Sequence, residues 1–152
     1  MVEQRNVGRS ILVIDDDPED FELVQEAAKE VDSDMNVYFL GRCEDAPKYL
    51  RRKFDFILLD INMPQQDGFS WLKGIRERGI TDVPIVMYTN SLSPNHISRA
   101  YEEGANLYFS KPETFSNLVR GISELLNMDW SNPHTITKKY NREGKYRILQ
   151  YD

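Results

Sequence analysis

The apolar run Phe56–Leu59 constrains the fold of this chain more than any other segment, because it ends directly in an acidic residue, Asp60. Four consecutive apolar residues are typical of a strand buried on both faces, as in a parallel sheet covered by helices. A carboxylate that closes such a strand lies at its carboxyl end, where open α/β sheets place their ligands. Because a dry, isolated charge is costly, we expect Asp60 to be hydrated, paired or bound to a cation.

A second apolar run, Ile11–Ile14, leads into three adjacent carboxylates, Asp15, Asp16 and Asp17. Asp17 precedes a proline and two further acids, which is the pattern of a helix N-cap followed by a negatively charged first turn. Helix capping leaves Asp15 and Asp16 unexplained. The residues alone keep two interpretations open, a solvated acidic turn or a divalent cation site shared with Asp60.

The chemistry of these acids favours a hard cation. Mg²⁺ binds through one or two carboxylates plus phosphate while it keeps several waters. Zinc would require a thiolate and imidazole cluster. The sequence does not indicate such a cluster, because Cys43 is the single cysteine and because His96 and His134 lie far apart without ligand-like spacing. We therefore predict Mg²⁺ as the cofactor.

Two more apolar runs end in groups that can contact an anion. Val83–Tyr88 is followed by Thr89, whose hydroxyl either donates to a phosphoryl oxygen or serves its own turn. Asn106–Phe109 leads to Lys111, which would oppose the acids and hold an anion. A lone lysine is usually an ordinary surface charge. Acids, hydroxyl and lysine at four strand ends together indicate one shared site.

The ordered motifs of this chain resemble the receiver domain of two-component response regulators over about residues 9–127. The matching segments are ILVIDDD, DFILLDINMP, QQDGF, VPIVMYTNS and EGANLYFSKP. The resemblance implies a flavodoxin-like (βα)5 fold, a five-stranded parallel sheet with helices on both faces. We divide the chain accordingly into an N-terminal arm (1–8), the receiver domain (9–127) and a C-terminal extension (128–152).

By this resemblance, Asp60 is the phosphoacceptor and one of the Mg²⁺ ligands. Asp16 would bind Mg²⁺ directly, Asp15 through water, and Asn62 through its backbone carbonyl. An aspartate carboxylate can attack a phosphoryl group to form an aspartyl phosphate, and such a transfer depends on charge neutralisation and positioning. The implied phosphodonor is a sensor histidine kinase or a histidine phosphotransfer protein, with a phytochrome-type kinase as one candidate.

The same resemblance gives Thr89 and Lys111 contacts with the phosphoryl oxygens and makes Tyr108 the aromatic switch residue that repacks when Thr89 moves. The expected output is a population shift of the face formed by residues 89–127, which alters protein–protein binding. Asn90 departs from the small residue common after the threonine, and we expect it to gate access to the phosphoryl site. The peptide bond after Lys111 is expected to be cis.

Helices that alternate with the strands complete the predicted pattern. Apolar periodicity and end signals predict a further strand over 35–40 and helices over about 18–31, 44–53, 68–78, 94–103 and 113–127. The last of these carries the clearest amphipathic stripe, which is more typical of core packing than of a partner surface.

The segment 128–152 gives a weaker signal. Five Lys/Arg and three Asp/Glu give it a charge of +2, and it is too aromatic for a disordered tail. Runs 135–140 and 145–150 can pair as a hairpin. The segment is too short for a usual DNA-binding output domain, so we expect a stand-alone receiver. The extension is either docked on its own domain or frayed, or it contacts a second subunit or a kinase. The predicted assembly is a homodimer through the last helices and the extension.

Composition agrees with one compact cytoplasmic domain. The 152 residues can bury a sizeable core. No run approaches the roughly 20 apolar residues of a membrane helix, and the amino-terminal segment lacks the apolar core of a secretory signal. A single cysteine fits a reducing compartment. The net charge of -6 argues against unaided binding to nucleic acid.

Two other classes of function are compatible with an aspartate at a strand end. A haloacid dehalogenase-like, Mg²⁺-dependent phosphohydrolase also uses one, but such enzymes usually place a second aspartate where this chain has Asn62. A phosphate-independent docking module would keep the fold and ignore phosphate, and the presence of the acids, the threonine and the lysine argues against it. We therefore predict a signalling protein rather than an enzyme.

Overall fold

The apolar runs form a five-stranded parallel sheet in the computed structural model, which describes residues 9–50, 53–63, 66–142 and 145–151. In chain order the strands are β1 (Ser10–Ile14), β2 (Asn36–Leu40), β3 (Phe56–Leu59), the short β4 (Asn62–Met63) and β5 (Gln66–Asp67), β6 (Ile85–Thr89) and β7 (Leu107–Ser110). The sheet has the order β2-β1-β3-β6-β7, and all its strand pairs are parallel. The predicted receiver-type sheet is confirmed. The predicted arm at 1–8 lies outside the described residues.

Helices cover both faces of this sheet. Within the described ranges they are α1 (Pro18–Val31), α2 (Gly68–Glu77), α3 (Pro94–Glu102), α4 (Phe115–Leu126) and α5 (Pro133–Lys139). Helices α1 and α4 pack against each other on one face. Right-handed crossovers place α2 and α3 on the other face, where Arg99 lies 4.4 Å above the ring of Phe69. None of the described helices is long and apolar enough to cross a bilayer.

The ends and inner faces of the main helices follow the sequence signals. Asp17, Asp67 and Thr114 each accept a backbone N–H from the first turn of α1, α2 and α4, at 2.9 to 3.1 Å. Asp17 is therefore an N-cap, as predicted. Most of the apolar stripe of α4 is buried, whereas Val119 is partly buried and Phe115 is 42% exposed.

The helix predicted over 44–53 is instead a short 3₁₀ helix, Cys43–Lys48. Pro47 explains the difference, because it lacks the N–H that an α-helix needs and disfavours the helical conformation of the residue before it. Residues 51–52 of the predicted helix lie outside the described ranges.

The extension is a helix followed by a small hairpin, so the predicted strand over 135–140 is wrong. Helix α5 begins at Pro133 and buries Ile136 and Tyr140 at helical spacing. The hairpin is shorter than predicted and pairs β8 (Asn141–Arg142) with β9 (Lys145–Tyr146).

The described part of the extension docks on its own domain, which is one of the predicted alternatives. The indole of Trp130 donates to the Leu125 carbonyl at 2.7 Å, and its ring lies 5.5 Å from that of Phe56.

Candidate functional site

Backbone hydrogen bonds between neighbouring strands fix the residues at the carboxyl edge of the sheet. Asp60 donates its N–H to the Ile14 carbonyl at 3.0 Å, and Lys111 donates its N–H to the Thr89 carbonyl at 2.8 Å. Asp15 is bonded to the end of β2 in the same way, at 3.0 Å. The side chains of these residues therefore start from a rigid rim, at the place where the strand order reverses and open α/β sheets bind ligands.

Three acids converge at this rim. Asp15, Asp16 and Asp60 each place one carboxylate oxygen within 4.8 Å of the others. Asp15 is 1% exposed and Asp60 is 5% exposed, whereas Asp16 faces solvent. Carboxylates at this separation repel one another, and an oxygen-only donor set suits Mg²⁺ or Mn²⁺. The residues present thus fit the cation that the sequence predicted.

Lys111 balances part of this negative charge. Its ammonium lies 2.6 Å from Asp20 Oδ2, 3.1 Å from Asp15 Oδ2 and 3.4 Å from Asp60 Oδ2. Burial by itself lowers the pKa of Lys111, but the Asp20 hydrogen bond and the charges of Asp60 and Asp15 outweigh it and raise the pKa. The lysine therefore stays protonated throughout the physiological range.

The site makes Asp15 harder to ionise than an ordinary carboxyl group. Burial raises the pKa of its carboxyl to about 6, and the charge of Asp60 adds to the increase, against the opposing effects of Lys111 and the Asp17 N–H. A proton therefore competes for this carboxylate just below neutral pH.

The predicted phosphoacceptor is held by both of its oxygens. Asp60 Oδ1 accepts the Asn62 N–H at 3.1 Å, while Oδ2 faces Lys111 at 3.4 Å. The Asn62 amide donates in turn to Thr89 Oγ1 at 3.2 Å. Thr89 is fully buried, and its hydroxyl oxygen also accepts the Ser91 N–H at 3.4 Å.

The predicted switch residue, Tyr108, is fully buried, and its hydroxyl donates to the Ser91 carbonyl at 2.8 Å. Asn90 is exposed beside the site and shares with Lys111 the lining of a cavity of about 290 Å³. The bond from Lys111 to Pro112 is trans rather than cis, which costs little because the two forms of a prolyl bond differ by only about 0.5–1 kcal/mol.

Two residues of the site were missed in the sequence. Asp20 makes the shortest contact to Lys111. In the sequence it was interpreted only as an acid in the first turn of α1, where it interacts favourably with the helix dipole. Gly68 lies against the phosphoacceptor, because a Cβ built on it would meet the Asp60 carbonyl oxygen at 2.6 Å. Its place directly after the N-cap Asp67 gave a signal for a helix start only.

Comparisons with known proteins agree with this arrangement. The family model described as response regulator receiver domain matches residues 11–123, about three quarters of the chain. The chain belongs to this family. Its members are signalling proteins rather than enzymes, so the prediction of a non-enzyme is confirmed and the phosphohydrolase alternative is not supported.

The similarity extends to individual regulators. Response regulator Rcp1 of Synechocystis sp. is 27% identical over 131 residues, which cover 80% of this chain and 89% of the relative. A crystal structure of the phosphorylated cyanobacterial phytochrome response regulator RcpA has a TM-score of 0.68 and 26% identity, covering 77% of this chain and 90% of that one. A Mn²⁺-bound structure of Rcp1 has a TM-score of 0.68 and 25% identity, with coverages of 82% and 96%.

Other relatives are much longer than this chain. The chain spans 19 to 38% of the length of the first curated relatives that it matches, which are plant and streptococcal regulators. The similarity to these proteins concerns the receiver domain alone.

Proposed function

We propose that Asp60 accepts a phosphoryl group in a Mg²⁺-dependent reaction and that this modification switches the binding properties of the chain. The observation that carries the proposal is the position of the Asp60 carboxylate. It lies at a rigid strand end between the carboxylates of Asp15 and Asp16 and the ammonium of the partly buried Lys111. The likeness to a phosphorylated receiver supports the same chemistry.

The transfer step can be written from the residues present. One Asp60 oxygen attacks phosphorus, the bond from phosphorus to the donor histidine nitrogen breaks, and that nitrogen leaves with its electron pair. Lys111 and Thr89 hold the transferred oxygens through an ammonium and a hydroxyl. The product is a mixed anhydride on Asp60.

The proposed Mg²⁺ ligands are the carboxylates of Asp15, Asp16 and Asp60 and the backbone carbonyl of Asn62. When bound, the cation offsets the charge of the acids and of the incoming phosphoryl oxygens. The close approach of three carboxylate oxygens and the Mn²⁺-bound state of a relative support this assignment. The burial of Asp15 and Asp60 keeps water from competing fully for their oxygens.

The proposed output is a change of the face formed by residues 89–127. New acceptor oxygens on Asp60 would draw Thr89 away from Asn62, and the Ser91 carbonyl that holds the Tyr108 hydroxyl follows two residues later. Tyr108 would then repack, which shifts the population of two arrangements of this face. Asn90, at the rim of the same cavity, is the proposed gate for small phosphodonors or attacking water.

The chain itself is proposed to be cytoplasmic, and its proposed phosphodonor is a sensor histidine kinase or a histidine phosphotransfer protein. Similarity to a phytochrome response regulator makes a phytochrome-type kinase the first donor to test. A homodimer through α4 and the extension remains the proposed assembly, and size-exclusion chromatography with and without beryllofluoride tests it.

Intact-mass measurement after incubation with acetyl phosphate and Mg²⁺ tests the central proposal. We expect a phosphate-sized gain in the wild-type chain and none in Asp60→Asn, which keeps the size and hydrogen-bonding shape of the side chain. Chelation of the cation should abolish the gain. A gain that persists in Asp60→Asn would contradict the assignment. Partner binding that is unchanged by phosphorylation would instead support the phosphate-independent docking module.

A further inference from the structure

Residues 145–151, called here the strap, pack first against α3 and then against β7, at the edge of the sheet. Leu149 is 3% exposed and donates its N–H to the Tyr108 carbonyl at 2.7 Å. Within the central sheet, β7 pairs with β6 on its other side. An edge strand otherwise offers unpaired backbone groups to solvent or to another chain. The strap therefore covers this edge at the residue that we propose as the switch.

A tyrosine of α3 ties the strap to the same residue a second time. The Tyr101 hydroxyl donates to the Arg147 carbonyl at 2.6 Å and accepts the Tyr108 N–H at 3.1 Å. Both backbone groups of Tyr108 are thus held, the carbonyl by Leu149 directly and the N–H through Tyr101. Buried hydrogen bonds of this kind are costly to leave unmade.

Aromatic contacts flank these hydrogen bonds. The rings of Tyr101 and Tyr146 are stacked, with centroids 4.8 Å apart and planes 7° apart. Tyr151 meets Phe109 edge-on at 6.0 Å. Both arrangements are favourable for aromatic pairs, so the strap is anchored by aromatic residues on either side of Leu149.

The side chain of Tyr108 connects these backbone hydrogen bonds to the proposed phosphorylation site. Its hydroxyl bonds to the Ser91 carbonyl, and Thr89, two residues earlier, bonds to Asn62 beside Asp60. A phosphoryl group on Asp60 would draw Thr89 away from Asn62 and pull on this loop. The strap therefore holds the backbone of the residue whose side chain is bonded to this loop.

We propose that the strap is an autoinhibitory element, which stabilises the present packing of Tyr108 and opposes phosphorylation of Asp60. The inference rests on the proposed function of Asp60. Coupling between two sites is reciprocal. Phosphorylation therefore releases the strap by the same factor by which the docked strap weakens phosphoryl uptake.

Amide hydrogen exchange of the full chain tests the release. We expect the amides of residues 145–151 to exchange about 5-fold faster or more in the presence of Mg²⁺ and beryllofluoride, a factor typical of allosteric coupling. Asp60→Asn should abolish the increase. Since this measurement uses the wild-type chain, it does not depend on how well any strap variant folds.

Two substitutions test the reciprocal effect. Tyr101→Phe removes the bridging hydroxyl and keeps the ring, and Leu149→Ala removes the buried side chain. Both should lower the acetyl phosphate concentration required for half-maximal phosphorylation by a similar factor. Thr137→Val is the matched control. It removes a hydroxyl that donates to the Asn106 carbonyl at 3.0 Å, before the other end of β7, and should leave the requirement unchanged.

The outcomes separate this inference from the proposed function. If intact mass shows phosphorylation of Asp60 while strap exchange is unchanged, the strap is not coupled and the proposed function stands. If the strap variants need as much acetyl phosphate as the wild type, or more, the inhibitory role is overturned. If the wild-type chain gains no phosphate, both proposals are lost.

Discussion

Neutralising Asp15 is expected to stabilise the protein in the absence of a divalent cation. Burial raises the pKa of this carboxyl from 3.8 to about 6, so the folded state disfavours the ionised form that predominates at neutral pH. Asp15→Asn resembles the protonated acid in size and charge. The amide oxygen can still accept the Asp17 N–H, which lies 3.0 Å from Oδ1 in the wild type.

The size of the effect follows from the pKa change. A difference of about 2 pH units corresponds to about 3 kcal/mol. The stabilisation should be somewhat smaller, about 1–3 kcal/mol. The charge attraction of Lys111 is already part of the pKa change, but the amide NH₂ would replace Oδ2, which accepts a hydrogen bond from Lys111 at 3.1 Å. The folded pKa lies above the unfolded value, so the wild type is penalised at pH above 6. It regains stability as the pH falls from about 6 to 4, where the unfolded chain also takes up the proton.

Urea unfolding in chelator at several pH values measures this effect. The variant should be more stable than the wild type near pH 8, and the difference should approach zero near pH 4. Added Mg²⁺ should narrow or invert it, because a cation that binds only the folded state stabilises the chain that binds it better. Asp17→Asn is the control, since it removes a charge from the same turn and keeps a good N-cap side chain. A variant that is no more stable near pH 8, or a gain that is the same at all pH values, would refute this reasoning.

Three other substitutions test the site, and a fourth, Gly74→Ala, is the control for the first of them. Gly68→Ala should lower the free energy of unfolding by about 1–3 kcal/mol and weaken Mg²⁺ binding, because its Cβ would meet the Asp60 carbonyl at 2.6 Å. Gly74→Ala, with nothing within 4 Å, should instead stabilise α2 by up to about 1 kcal/mol in urea unfolding. Lys111→Met should abolish or strongly reduce phosphoryl uptake, as measured by intact mass. Added Mg²⁺ should restore a larger fraction of the stability that this variant loses than of its phosphoryl uptake. Asn90→Ala should change the rate of phosphorylation or dephosphorylation, and equal rates would exclude the gate.

The central sheet and the site rim could be predicted because their signals are local. A buried strand requires a run of apolar residues, and a parallel sheet brings the carboxyl ends of such runs to one edge. Asp15, Asp60, Thr89 and Lys111 each lie within one residue of a strand end, so the rim follows from their positions in the chain. Helix α1 could be predicted for the same reason, since its N-cap, its first-turn proline and its apolar face all indicate the same helix.

The missed features depend on contacts between distant segments. Asp20 satisfies the rules for a helix N-terminus, and only the folded chain brings it 2.6 Å from Lys111. The close approach of Gly68 to Asp60 likewise depends on how α2 meets the sheet. The extension was misread over 135–140 because a short segment with two threonines and an isoleucine fits a strand, whereas its packing on the domain requires a helix that buries Ile136 and Tyr140.

From the charges at the rim we infer that phosphoryl uptake requires a cation. The cation does more than accelerate a reaction that would also proceed without it. In the part of the chain that the structure describes, the carboxylates of Asp15, Asp16, Asp20 and Asp60 surround one ammonium, that of Lys111. An incoming phosphoryl group adds further negative charge to a cluster that already repels anions, and the interior is less able than water to screen it. Chelation should therefore remove uptake by the wild-type chain, whereas Asp16→Asn, which lowers both the repulsion and the affinity for the cation, should retain a small cation-independent fraction. Intact mass with and without chelator distinguishes these outcomes. Full uptake by the wild type in chelator would show that Lys111 alone neutralises the site.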